Sequence, residues 1–149
     1  MRVLFLDFGG VLHPSGRDDE ARAASGGTRL ARLDLFCWFD ILGGLLAAHP
    51  DVYVVVHSNW RYVSSPQEIG DLLGDLGRRY LGCVAHGDRH AAIRAWLAHH
   101  PAVESYRILD DAARAFGDPP PAELILCDPR TGVSEPAVQA QLRDWLASS

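Results

Sequence analysis

The sequence predicts a three-layer α/β sandwich built around a five-stranded parallel sheet. Three observations carry that expectation. Short apolar runs alternate with segments of helical periodicity, the pattern of β-α-β units with parallel strands and right-handed crossovers. The main runs are nearly continuous in Val, Ile and Leu, as strands covered on both faces must be. Four of the five runs end in a polar group, namely Asp7, Ser58, Asp110-Asp111 and Asp128, and ligands of open parallel sheets bind at the carboxyl ends of the strands.

The elements follow in order. Residues 2–6 are short, apolar and bounded by Asp7 and Gly9-Gly10, and so read as the first strand. Residues 14–32, rich in Gly, Ser, Ala, Asp and Arg, read as a loop with a helical turn near 19–24. A helix is expected over 34–48, where Leu35, Trp38, Leu42, Leu45 and Leu46 recur at helical spacing and Pro50 stops the run. Val52 to Val56 form the second strand, followed by His57-Ser58-Asn59-Trp60-Arg61. Ser65-Pro66 opens a helix reaching about residue 75, with Ile69, Leu72 and Leu73 inward. A short strand is expected over 82–85 and a helix over 89–99, which turns Ile93, Trp96 and Leu97 inward and ends before Pro101. Strands over 106–109 and 124–127 follow, then a helix from residue 134 that buries Val138, Leu142, Trp145 and Leu146. Trp38, Trp96 and Trp145 are expected in the core.

A chain of 149 residues is sized for one domain over residues 1–149, and can bury roughly 70% of its unfolded surface without staples. The net charge of -5 argues against general nucleic-acid or anionic-membrane binding. All 14 Lys-or-Arg positions are Arg, so any role that calls for lysine is vacant or filled by Arg, which is not its equivalent. Cys37, Cys83 and Cys127 lie in or beside apolar runs with no CxxC spacing, and are expected as buried thiols in a reducing compartment. No apolar run reaches membrane-spanning length, and the N-terminal run is too short and too acidic for a signal peptide. The expected location is the cytoplasm.

If the strands ending in Asp7, Ser58 and Asp110-Asp111 are neighbours, their carboxylates meet and repel unless a cation joins them. Hard oxygen donors of this kind suit Mg²⁺. Ser58 is placed to bind a phosphate oxygen, an Arg to neutralise its charge, and Asp7 to act as a nucleophile through an aspartyl-phosphate.

These motifs, in this order, resemble the haloacid dehalogenase (HAD) superfamily, whose fold is a Rossmann-like three-layer α/β/α sandwich. His57-Ser58-Asn59-Trp60-Arg61 and Asp128-Pro129-Arg130-Thr131-Gly132 further resemble a branch, the phosphatase-like domain of bacterial RNA-repair proteins. The resemblance implies Asp7 as nucleophile and Mg²⁺ ligand, with Gly9 offering a backbone carbonyl to the metal. It implies Asp110 as a direct metal ligand and Asp111 as ligand or neighbour. Gly10, Ser58, Asn59 and Arg61 would surround the phosphoryl group. The family's usual lysine is replaced by Arg89 or Arg61, and spacing does not choose between them. The loop at 14–32 stands where larger relatives insert a cap, so the cap is minimal, and its Arg17, Arg22, Arg29 and Arg32 either contact substrate phosphates or are simply solvated.

One position departs from the pattern. Two residues after the nucleophile, where the family's phosphatases carry an acid–base aspartate, stands Gly9. Positioned acid–base groups contribute roughly 10²–10⁴-fold. His13 and His57 are candidate substitutes. Two functions follow as expectations. One is a Mg²⁺-dependent phosphohydrolase, attenuated or altered, acting on a phosphorylated small molecule or nucleic-acid end, with no membrane partner. The other is a catalytically silent domain that retains the rim as a phosphate- and metal-binding module. The spacing Cys83-x2-His86-x3-His90 also invites a zinc reading, but it lacks a fourth ligand.

Overall fold

The computed structural model describes residues 1–15 and 35–148. The loop at 16–32 with its four arginines, the turn at 19–24, the expected cap and Asp34 lie outside the described residues. The sheet has five strands, β1 (Arg2–Leu6), β2 (Val52–Val56), β3 (Tyr80–Cys83), β4 (Ser105–Asp110) and β5 (Leu124–Leu126). Their order is β3-β2-β1-β4-β5, and every pairing is parallel. The fold is therefore the Rossmann-like α/β arrangement expected. The chain winds outward from β1 to β3, then crosses back to lay β4 on the other side of β1. This reversal makes β1 the topological switch point, where ligands of such sheets bind.

Side-chain alternation along β1 builds both cores. Leu4 and Leu6 join Val54, Val56, Leu42, Leu46, Ile69, Leu142 and Trp145 on one face. Val3 and Phe5 join Val55, Ile93, Ile108 and Phe116 on the other. The first face is covered by α1 (Phe39–Leu46), α2 (Pro66–Leu72) and α4 (Pro136–Ala147), the second by α3 (Arg89–Ala98). Among the described residues, no helix is long and apolar enough to cross a membrane.

Several boundaries differ from expectation, each for a local reason. α1 begins at Phe39 rather than near 34, because Phe36 adopts a left-handed φ of 58° that no helix continues through. α2 ends at Leu72, before Gly74 at φ 52°, and a 3-10 turn over Gly74–Arg79 follows. That turn shifts β3 to start at Tyr80, two residues early. Leu72 is exposed rather than inward, and Trp38 and Trp96 are only partly buried, while Trp145 is buried. Cys37 is exposed, Cys83 half-buried and Cys127 buried, so the expectation of three buried thiols holds only for the last.

Arginine does much of the stapling. Arg2 pairs with Asp51 and donates to the carbonyls of Trp145 and Leu146 at the end of α4. Arg79 donates to the carbonyls of Leu46, His49 and Val52, capping α1. Ser65 and Glu68 form a reciprocal capping box at the start of α2.

Candidate active site

The ladder runs on past the ends of the central strands and sets the site's floor. Asp7 N–H donates to Leu109 (3.2 Å), His57 N–H to Leu6 (3.1 Å) and Cys127 N–H to the carbonyl of Asp110 (2.9 Å). Asp7, Ser58 and Asp110 thus stand at the carboxyl ends of three adjacent strands. After Asp7 the chain folds into a tight turn, with Gly10 N–H donating to His13 O at 2.8 Å and Val11 and Leu12 N–H to Phe8 O. The turn aims Phe8 N–H back at Asp7 Oδ1 (2.9 Å). Gly10 takes φ 76°, and a Cβ there would run into the carboxylate of Asp111. Only glycine at this position lets Asp111 approach.

Three carboxylates converge. Asp7, Asp110 and Asp111 each offer an oxygen within 4.8 Å of the others. Arg89, the first residue of α3, lies between two of them: its Nη1 donates to Asp7 Oδ2 (3.0 Å) and to Asp110 Oδ2 (2.7 Å). Asp110 is fully buried and also accepts from Ala112 N–H on Oδ1 (2.8 Å). His57 Nε2 lies 2.8 Å from Asp110 Oδ2.

Burial, then the charge of Asp110, push Asp7 up to about 8, against the opposing pull of Arg89. Asp111 rises to about 6 through burial and the charge of Asp110. Burial opposes ionisation of Asp110 too, but the hydrogen bond and charge of His57 together with Arg89 win, and Asp110 sits below the usual carboxylate range. Burial holds His57 below its ordinary value in spite of Asp110, so its ring is neutral. The cluster therefore carries more acid than Arg89 alone can balance. Its donor set, three hard carboxylate oxygens, fits a small divalent cation.

The remaining candidates are placed as follows. Ser58 is buried and its hydroxyl accepts from Trp60 N–H (3.2 Å), capping a 3-10 turn over Asn59–Tyr62. Asn59 is exposed beside it. Arg61 is engaged with main-chain carbonyls rather than with the carboxylates. Its guanidinium donates to the carbonyls of His57, Ser58, Ala85 and Gly87 and to the Tyr62 hydroxyl. Of the two arginines that sequence spacing left open, Arg89 is the one that reaches Asp7 and Asp110. Gly9 is buried and bridges to His13, whose ring packs near Phe36 and Trp60. Asp128 forms a turn, accepting from Arg130 N–H. Cys83, His86 and His90 form no metal-holding group among the described residues; His86 instead meets Arg61 O and Tyr62, and His90 packs on Phe116.

Sequence reasoning did not foresee Cys127 as part of this neighbourhood. Burial, followed by the charges of Asp110, Asp111 and Asp7, raises its thiol far above the usual range. Its position just after β5 was the available signal. The pairing of His57 with Asp110 was equally hidden, since 53 residues separate them.

A parallel sheet with an aspartate after the switch-point strand, a serine after its neighbour and paired aspartates after the next defines the HAD class of α/β domains. A family model for the HAD domain in Swiss Army Knife RNA repair proteins matches residues 3–138, and the chain belongs to that family. Comparison with curated proteins and with solved structures returned no match.

Proposed function

We propose that this phosphohydrolase-type domain cleaves phosphate esters through an aspartyl-phosphate on Asp7, with Mg²⁺ as cofactor. The observation that carries the reading is the convergence of Asp7, Asp110 and Asp111 within 4.8 Å, with Arg89 between Asp7 and Asp110. Asp7, Asp110, Asp111 and the Gly9 carbonyl would hold the cation, which when bound neutralises the carboxylates and the phosphoryl oxygens.

The chain's own residues do the rest. Phe8 N–H holds Asp7 Oδ1 and so orients the nucleophile. Arg89 and Ser58 bind phosphoryl oxygens, a placement supported by the position of Ser58 beside Asp7 at the strand ends. Asp7 attacks phosphorus, the bond to the leaving oxygen breaks, and water then hydrolyses the acyl phosphate. Gly9 supplies no proton to the leaving oxygen and no base for the water. The reaction therefore favours groups that leave as stable anions, aryl and acyl phosphates over alkyl esters.

The substrate proposed is a phosphorylated nucleic-acid end, in keeping with the family's description, or else a phosphorylated small molecule. The test compares an aryl phosphate, an alkyl phosphate and a 5′-phosphorylated oligoribonucleotide, each with Mg²⁺ or with chelator, using wild type and Asp7→Asn. Mg²⁺-dependent aryl phosphate hydrolysis that Asp7→Asn abolishes supports the reading, and equal rates for the two proteins end it.

Gly9 favours a second reading, a silent phosphate- and metal-binding module. A large gain in turnover from Gly9→Asp marks an intact but attenuated enzyme. Binding of Mg²⁺ and phosphate without turnover in either form favours the module.

A further inference from the structure

We propose that His57 is a positioning residue, whose buried ring holds the Asp110 carboxylate in the orientation that a divalent cation requires. The inference rests on the metal-site reading above and extends it to a residue outside the acidic cluster.

Four observations support it. Both oxygens of Asp110 already accept, Oδ1 from Ala112 N–H and Oδ2 from Arg89 Nη1, so the 2.8 Å contact is read as a hydrogen bond donated by His57 Nε2 to Oδ2. Neither residue has any exposed surface, so water cannot replace the bond. The residue is also anchored, through its backbone and against an aromatic ring. His57 N–H is tied to Leu6 O, its carbonyl accepts from Arg61 Nη1, and the ring meets Phe116 edge-on at 6.2 Å. Lastly, Nδ1 is buried with no hydrogen-bond partner among the described residues. A histidine serving only to fill space would carry that cost for nothing, since an apolar side chain would avoid it.

The geometry assigns distinct tasks to the groups on Asp110. Oδ1 is held by Ala112 N–H, and Oδ2 by His57 on one side and Arg89 on the other. Ala112 and His57 are rigid and approach from within the protein. Arg89 lies on a long side chain and is 17% exposed, so it can withdraw when another cation arrives. His57 then keeps the carboxylate plane where it was. Groups that orient a metal-binding residue in this way are commonly worth 10–100-fold in metal affinity.

The experiment measures Mg²⁺ affinity by calorimetry, with circular dichroism of each variant as a check on folding. Gln places its amide nitrogen near the Nε2 position, whereas Leu and Asn leave Oδ2 without this donor. His57→Leu and His57→Asn are expected to weaken Mg²⁺ binding at least about 10-fold, and His57→Gln to stay within about 3-fold of wild type. Unchanged affinity in His57→Leu or His57→Asn, or equal loss in all three variants, overturns the positioning role while leaving the metal site intact. If only the wild type folds, the ring is a packing element and the role falls. Absence of Mg²⁺ binding by the wild type overturns the metal-site reading itself, and the role of His57 with it.

Discussion

Gly10 and Asp111 share one small volume: the left-handed turn at Gly10, φ 76°, leaves room for the Asp111 carboxylate where any Cβ would sit. A 101-residue separation in sequence is closed because β1 and β4 are adjacent and in register. The third carboxylate joins the cluster only because Gly10, in the turn after Asp7, has no side chain. Gly10→Ala is therefore expected to destabilise by about 1–3 kcal/mol through left-handed strain and overlap. Mg²⁺ affinity should fall as Asp111 is displaced. In urea titrations, a double-mutant cycle with Asp111→Gly should recover part of the loss; strict additivity would contradict the contact.

Asp7 makes the cation-free protein sensitive to alkali. Its folded value is about 8 against an unfolded 3.8, so between these the folded chain holds a proton the unfolded chain has released. Stability then falls as pH rises, by at most about 1.4 kcal/mol per unit from this group. His57 acts oppositely below its unfolded value of 6.5, where the unfolded chain gains a proton that the buried ring does not. The window in which Asp7 dominates is thus from 6.5 to 8. With chelator present, the melting temperature of the wild type should drop across that window. Asp7→Asn should be flatter and more stable at the upper end. A level wild-type profile would count against an Asp7 whose burial outweighs its pairing with Arg89.

Arg61 is a clamp that joins the loop after β2 to the loop before α3. Its guanidinium makes five hydrogen bonds, four of them to carbonyls. Arg61→Ala should cost about 2–4 kcal/mol in denaturant unfolding. Arg61→Lys should recover little of it, because an ammonium cannot reproduce the planar fork. A lysine variant as stable as wild type would refute the clamp.

Ser58 combines two duties that separate by magnitude. As the cap of the Asn59–Tyr62 turn, its loss in Ser58→Ala should cost about 1 kcal/mol of stability. As a donor to the phosphoryl group in the proposed reaction, its loss should lower kcat/KM for an aryl phosphate by about 10²-fold. A fall in rate no larger than the fall in folded fraction would leave only the cap.

Gly9 predicts a slow second step. In the proposed reaction, phosphorylation of Asp7 by a substrate with a good leaving group needs no acid, but hydrolysis of the acyl phosphate lacks its base. Rapid-quench assays of wild type should show a burst of aryl alcohol approaching one equivalent, and Gly9→Asp should remove the burst by accelerating turnover. A linear wild-type time course with no burst would place the slow step earlier.

Much of this protein was legible in the chain alone. Alternating strand and helix periods implied the parallel sheet because local burial patterns repeat with the element that makes them. The polar residues closing the apolar runs marked the rim on which Asp7, Ser58 and Asp110 stand. Boundaries slipped where a single backbone conformation intervened, as at Phe36 and Gly74, since φ is decided by packing that a period does not encode. Spacing also could not choose between Arg89 and Arg61, separate Asp111 from Asp110, or pair His57 with Asp110. Those outcomes depend on which strands are neighbours and how far each side chain reaches. A linear sequence determines which groups arrive at the rim; the three-dimensional packing decides their distances, and Coulomb and hydrogen-bond energies depend on distance.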